Sequence, residues 1–203
     1  MSQNLSLYLA SASPRRQELL TQLGVNFSIV EHDVDEVVRE NESPEVYVER
    51  LAVEKANSGL QPDEVGIPVL GADTIVVCDG VILEKPKDKG DAAVMLKRLS
   101  GRSHQVLTAV ALDNGNRKVS VVVSSTVWFG VVSDEDAARY WATGEPCDKA
   151  GGYGIQGLGG SFVSRIEGSY SAVVGLPIYE TGQLLTQFSI PFWLTDYKDV
   201  ISL

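Results

Sequence analysis

Cysteine is nearly missing from this 203-residue chain: Cys78 and Cys147 stand far apart and in no ligand-like spacing. A structural zinc site is not expected, and so few thiols fit a reducing compartment. Histidine is as scarce. His32 and His104 are widely separated, so no histidine-based triad is expected and both read as structural or surface residues. Positive charge is the minority sign, with 17 Lys+Arg against 27 Asp+Glu and a net charge of −10. That composition argues against a nucleic-acid-coating surface or binding module, which would normally be basic. Any polyanion site must then be a local basic pocket in an acidic protein. No apolar run reaches about 18 residues, so no membrane span is expected. No basic segment followed by a long apolar stretch marks the start, and the expected location is cytoplasmic. Nucleotide signatures are absent too. There is no Walker loop, and Gly152-Tyr153-Gly154-Ile155-Gln156-Gly157 fits G-x-G-x-x-G only by letter, neither following a clear strand nor opening a clear helix. There is no G-x-S-x-G elbow.

What is present is a globular composition, 44% apolar and 22% charged, sufficient for one sizeable core. We expect a single domain over residues 1–203, in one or two lobes about a central cleft, with 189–203 as a peripheral tail. Leu5, Leu7 and Leu9 alternate as a strand over Leu5–Ala10, and a helix follows over Pro14–Leu23 with Gly24 as its stop. A second strand is expected around Asn26–Glu31, then an acidic loop, Asp33-Val34-Asp35-Glu36. Ser43-Pro44 opens a helix to Ser58, with Tyr47, Val48, Leu51 and Ala52 inward. Gln61–Pro68 reads as a surface loop. Val69–Cys78 is an apolar strand, and Asp79-Gly80 predicts a type I′ hairpin into Val81–Leu83. Helix Asp91–Leu99, with Val94, Met95 and Leu99 inward, precedes strands Gln105–Leu112 and Lys118–Gly130. Helices over Ser133–Trp141 and Pro177–Phe188 and a short strand Ser161–Ile166 complete the pattern. Strands alternating with helices, then pairing as hairpins, predict an α/β fold with a mixed twisted sheet and flanking helices.

Chemistry concentrates in a few places. Ser11-Ala12-Ser13-Pro14-Arg15-Arg16 puts two hydroxyls, a helix start and two guanidinium forks together. Ser13 suits an N-cap, and free amides with the helix dipole favour an anion. The same letters also describe a capped helix with two solvated arginines. Asp73 interrupts the most apolar strand, where a carboxylate is costly unless it is paired or functional. Lys85 should return alongside that strand, and Lys55, Asp35 and Glu36 are further candidates. The glycines of Gly151–Gly160 would let backbone approach a ligand closely. Together this is the inventory for holding a polyphosphate with a divalent cation and hydrolysing it.

In order along the chain, Leu9–Arg16, Arg50-Leu51-Ala52 with Lys55-Ala56, Gly71-Ala72-Asp73-Thr74, Glu84-Lys85-Pro86, Leu99-Ser100-Gly101, Asp148–Gly151 with Tyr153–Gly157, and Val174–Pro177 resemble the Maf family of nucleoside triphosphate pyrophosphatases. The resemblance runs from about Leu7 to Leu185. It implies a fold similar to the inosine triphosphate pyrophosphatases, and hydrolysis of a nucleoside triphosphate to monophosphate and pyrophosphate with Mg²⁺ or Mn²⁺. It implies Asp73 as catalytic base and Glu36, Lys55 and Lys85 at the phosphate site; on the mechanism these suggest, the cation bridges phosphates and carboxylates, with Asp73 and Glu36 the candidate metal ligands. Ser11, Ser13, Arg15, Arg16, Thr74 and Gln156 become substrate-binding residues. Arg15, Thr74 and Gln156 match the branch that prefers dTTP and UTP, and an amide such as Gln156 both donates to and accepts from a pyrimidine edge.

Family members are also connected with septum inhibition, so the alternative is a nucleotide-binding regulator of cell division that does not require turnover. A phosphate-sugar hydrolase is a weaker choice. The tail Ile190–Leu194 suits packing either on its own body or on a second subunit, which leaves a homodimer open.

Overall fold

In the computed structural model, residues 5–61 and 66–193 are described. Among them seven strands form one mixed sheet in the order β2-β1-β3-β5-β6-β7, with β4 joined to β3. The strands are β1 (Leu7–Ala10), β2 (Phe27–Ile29), β3 (Val69–Cys78), β4 (Val81–Leu83), β5 (Ser103–Asp113), β6 (Lys118–Phe129) and β7 (Val163–Glu167). The helices are α1 (Pro14–Gln22), α2 (Pro44–Ser58), α3 (Lys89–Leu99), α4 (Asp134–Ala142), α5 (Tyr170–Val174) and α6 (Ile178–Gln187). The expected mixed α/β class is the observed one.

β1 runs parallel to both β2 and β3, while β5, β6 and β7 follow as antiparallel neighbours. Because β1 is interior, both of its faces are buried. Tyr8 and Ala10 are covered as Leu7 and Leu9 are, so the one-faced pattern expected for it is replaced by burial on both sides.

β3 organises the packing. Its odd positions Ile75 and Val77 meet Tyr47, Val48, Leu51, Ala52 and Ala56 of α2. On the other face, Leu70 and Ala72 join Leu19, Leu20, Leu184 and Leu185 of α1 and α6. Val76 and Cys78 join Leu96, Leu99, Tyr140 and Tyr153 beyond them. Thr74 falls between these two clusters. The neighbouring edge of β3 is divided as well. β1 pairs with it through Gly71, β4 pairs from Val76 onward, and β5 occupies the other edge throughout. Among the described residues no strand pairs with positions 72–75 on the β1 side. A cleft opens at that split, outside the carboxyl end of β1, where open α/β sheets commonly bind ligands.

Local expectations hold where turn chemistry decides. Asp79 and Gly80 both have positive φ (52° and 72°), as a type I′ turn requires. Ser43 caps α2 by accepting from the Val46 amide at 3.4 Å. Others are corrected. α3 begins at Lys89 and is capped by Asp88; its buried stripe is Ala92, Met95, Leu96 and Leu99, spaced i, i+3, i+4 and i+7, and Val94 is 66% exposed. Ser13 occupies the N-cap position of α1, but its side chain caps nothing. The segment after β7 holds α5, a five-residue helix capped by Ser169. Ile190 is buried in the main core with Phe192 packed against it, so this part of the tail belongs to the body. The tail from Leu194 and positions 62–65 of the Gln61–Pro68 loop lie outside the described residues.

Candidate active site

The cleft has a volume of about 970 Å³ and is lined by Ser11, Ser13, Arg15, Arg16, Glu36, Lys55, Asp73, Thr74, Lys85 and Gln156, while Asp35 of the acidic loop lies outside it. Asp73 and Lys55 meet because α2 lies directly on β3. A Cβ added at Gly71 would run into the carbonyl of Ala52 and the amide of Ala56, so only glycine permits this approach. Lys55 lies within that same stretch of helix, and its Nζ donates to Asp73 Oδ1 at 2.7 Å. Nζ also pairs with Glu36 Oε1 at 2.5 Å. One nearly buried ammonium is thus shared by two carboxylates, an arrangement that compensates both signs of charge. Burial alone would push the Glu36 carboxyl up. The Lys55 hydrogen bond and charge, with help from Lys85, outweigh this and hold it below the usual carboxylate range. The acidic loop carrying Glu36 is tied down by Tyr47, whose phenol donates to the Glu36 carbonyl at 2.9 Å.

The opposite wall is built around Arg16. Its Nε donates to Gly175 O (2.9 Å), Nη1 to Ser11 Oγ (3.1 Å) and Nη2 to Thr74 Oγ1 (3.3 Å). The fork therefore staples the β1–α1 turn, β3 and the α5–α6 junction while keeping a fixed charge near Asp73. Thr108, opposite Thr74 in the register, contacts both Thr74 Oγ1 (3.1 Å) and Ala172 O (2.7 Å). Thr74 is consequently engaged within the protein. Arg15 is looser, with a 3.7 Å pair to Asp148 across the cleft. Ser13 leaves the first amides of α1 uncapped at the cleft, which preserves the anion-friendly helix end. Lys85 and Gln156 are exposed on the rim.

Residues that sequence reasoning did not single out also line the cleft: His32, Tyr47, Glu84, Glu145, Asp148 and Lys149. His32 is not a remote surface residue. Burial, with the nearby Lys55 charge, lowers its pKa, so a neutral imidazole faces the site at neutral pH. Asp148 and Lys149 carried a signal as part of the Asp-Lys-Ala-Gly stretch and Glu84 as part of Glu84-Lys85-Pro86, while Tyr47 was expected only as an inward residue of its helix. The other histidine, His104, is buried and its Nε2 lies 2.8 Å from Tyr153 OH.

Among the described residues no group of three or more His, Cys, Asp or Glu is arranged to hold a metal ion. The donor chemistry does suit a hard cation, because Asp73 and Glu36 converge on one cationic atom. Mg²⁺ typically takes one or two carboxylates and completes its shell with substrate phosphates and water.

A split-sheet α/β protein with a carboxylate–ammonium centre, facing guanidinium groups and an open helix end, defines a phosphate-binding hydrolase-type site. Residues 6–188 match the family described as Maf-like protein. The chain belongs to that family. It is 56% identical over 191 residues to the dTTP/UTP pyrophosphatase of Vibrio parahaemolyticus, covering 93% of this chain and 100% of that protein. It is 58% identical over 183 residues to the dTTP/UTP pyrophosphatase of Pseudoalteromonas translucida, covering 90% and 97%. Among solved structures it is similar to the Staphylococcus aureus Ham1 protein, at 13% identity and a TM-score of 0.40 over 63% of this chain and 72% of that one.

Proposed function

We propose that this chain hydrolyses dTTP and UTP to the nucleoside monophosphate and pyrophosphate. The observation that carries the reading is the Lys55 bridge between Asp73 and Glu36 in a cleft walled by Arg15, Arg16 and Lys85. A triphosphate entering the cleft offers oxygens to Lys55, Lys85, Arg15 and the uncapped α1 amides. Lys55 then exchanges a carboxylate partner for phosphate, which frees Asp73 to take a proton from water. The water oxygen attacks the α-phosphorus, the bond from that phosphorus to the α–β bridging oxygen breaks, and pyrophosphate leaves against the basic groups. Arg16 acts as a brace that fixes the cleft wall and contributes charge. A divalent cation, Mg²⁺ or Mn²⁺, would be held by Asp73 and Glu36 and supply charge neutralisation on the phosphates. Gln156 on the rim reads the pyrimidine edge. The expected setting is cytoplasmic, with a nucleotide as partner and neither nucleic acid nor membrane involved. No helix among the described residues is long and apolar enough to cross a membrane.

The test is a nucleotide panel scored for pyrophosphate, run on the wild type and on Asp73→Asn. Turnover of dTTP and UTP lost by roughly 10²–10⁴-fold in a folded Asp73→Asn protein is expected of a missing general base. Wild-type turnover by that variant would remove Asp73 from the mechanism. Tight dTTP binding by the wild-type protein with no turnover would favour a nucleotide-binding regulator instead.

A further inference from the structure

The glycine-dense segment lines the cleft through Tyr153–Gly157 and is also latched to the protein behind it. Its centre is Glu145, at the start of a short 3-10 turn over Glu145–Asp148. Glu145 Oε1 accepts from Tyr140 OH (2.7 Å) and from the Gly159 amide (3.0 Å), and Oε2 accepts from the Leu158 amide (2.8 Å). Tyr140 OH in turn accepts from the Gly154 amide at 2.9 Å. The glycines mark where these groups sit. A Cβ at Gly157 would collide with the Glu145 carboxylate, one at Gly159 would stand 2.5 Å from Tyr140 OH, and one at Gly154 would stand 2.7 Å from Lys149 Cε. Within this cradle Gly157 N–H bonds to Gly154 O at 3.2 Å, closing a turn with Ile155 and Gln156 at its corner. Gln156 is thus presented to the cleft by a loop that is anchored on both sides of it.

We propose that Glu145, through Tyr140, is a positioning residue that holds the Gln156 turn and thereby sets which base the cleft accepts. This rests on the reading of Gln156 as the base-contacting residue. Both Glu145 oxygens accept hydrogen bonds, and Glu145→Gln replaces one of them with an NH₂ group that can only donate, so the turn loosens while the Lys55–Asp73 centre is untouched. The expected result is a KM for dTTP raised about tenfold, kcat within about threefold of wild type, and weaker discrimination between dTTP and GTP. Gln156→Ala should shift the same parameters, and the double variant should be no worse than Gln156→Ala alone. Tyr140→Phe retains the Glu145 charge and both of its backbone bonds. It should raise KM by a smaller factor, and it serves if Glu145→Gln loses its cooperative melting transition. Unchanged KM and discrimination in Glu145→Gln and Tyr140→Phe, or additive effects in the double variant, would overturn the proposal. If Gln156→Ala itself behaves as wild type, base reading by Gln156 fails separately. The latch is then judged by amide exchange at Leu158 and Gly159, which Glu145→Gln must accelerate and Gln156→Ala must not. Equal exchange in wild type and Glu145→Gln would overturn it.

Discussion

Gly71→Ala probes the link from backbone packing to chemistry. The new Cβ would stand 3.0 Å from Ala56 Cα and closer still to Ala52 O and Ala56 N. Every one of these atoms is helix backbone, so no side-chain rotation relieves the clash. The shortest of these contacts, to Ala52 O, reaches an ordinary separation of about 3.5–4 Å only if α2 retreats by roughly 1.5 Å. Overpacking of this kind costs about 1–3 kcal/mol, which in a chain of this size lowers Tm by roughly 2–12 °C. The retreat carries Lys55 with it and stretches its 2.7 Å bond to Asp73 beyond hydrogen-bonding range. A displacement of about 1 Å at a catalytic centre can cost on the order of 10²-fold in rate. The assay pairs thermal unfolding followed by circular dichroism with pyrophosphate release from dTTP, measured well below the variant's Tm. A Gly71→Ala protein with wild-type Tm and kcat would refute direct backbone contact between α2 and β3, and with it the stated origin of the Lys55–Asp73 pair.

Other outcomes are expected. Gly182→Ala, inside α6, meets only Phe192 ring atoms at 3.8–3.9 Å and should gain about 0.5–1 kcal/mol in stability, read as a higher Tm with activity unchanged. Arg50 grips Glu42 with two bonds, Nε to Oε1 at 2.6 Å and Nη2 to Oε2 at 2.8 Å, and this pulls the carboxyl down from 4.5 to about 2. A depressed carboxyl stabilises the fold above its unfolded pKa, so stability should fall as pH drops from about 4.5 to about 2, and Glu42→Gln should flatten that part of a urea-midpoint-against-pH profile. Burial pushes His104 down from 6.5 to about 4. Its contribution is complete above pH 6.5 and lost as pH falls through 4, on the order of 3 kcal/mol. His104→Gln, which keeps a polar partner for Tyr153, should remove that slope. Chelation by EDTA should stop pyrophosphate release and added Mg²⁺ or Mn²⁺ restore it, whereas full activity in EDTA would count against a cation at Asp73 and Glu36.

The sequence was most informative where a local rule has one solution. Pro44 after Ser43 and the Asp79-Gly80 pair set the bounds of α2 and of the β3–β4 hairpin without reference to the rest of the chain. Val94 was misplaced because apolar character alone does not turn a residue inward, and it is 66% exposed. Ala92, Met95, Leu96 and Leu99 lie at i, i+3, i+4 and i+7 on one face, and Val94 falls off that stripe. α5 is too short to show a period, and only the Ser169 cap announces it. Asp73 was legible as a costly carboxylate in an apolar strand. Its partner Lys55 was named only as a phosphate ligand, because the helix-on-strand approach that joins them depends on a missing Cβ at Gly71. Glu145 was invisible for a related reason: its carboxylate binds amides of residues 158 and 159, and no local spacing encodes a contact between a turn and a later loop.

The most direct test of attack at the α-phosphorus is dTTP hydrolysis in ¹⁸O-labelled water, with products separated and weighed by mass spectrometry. The expected result is pyrophosphate and dTMP, with one ¹⁸O in the dTMP and none in the pyrophosphate. Label in the pyrophosphate, or products consisting of dTDP and inorganic phosphate, would contradict it.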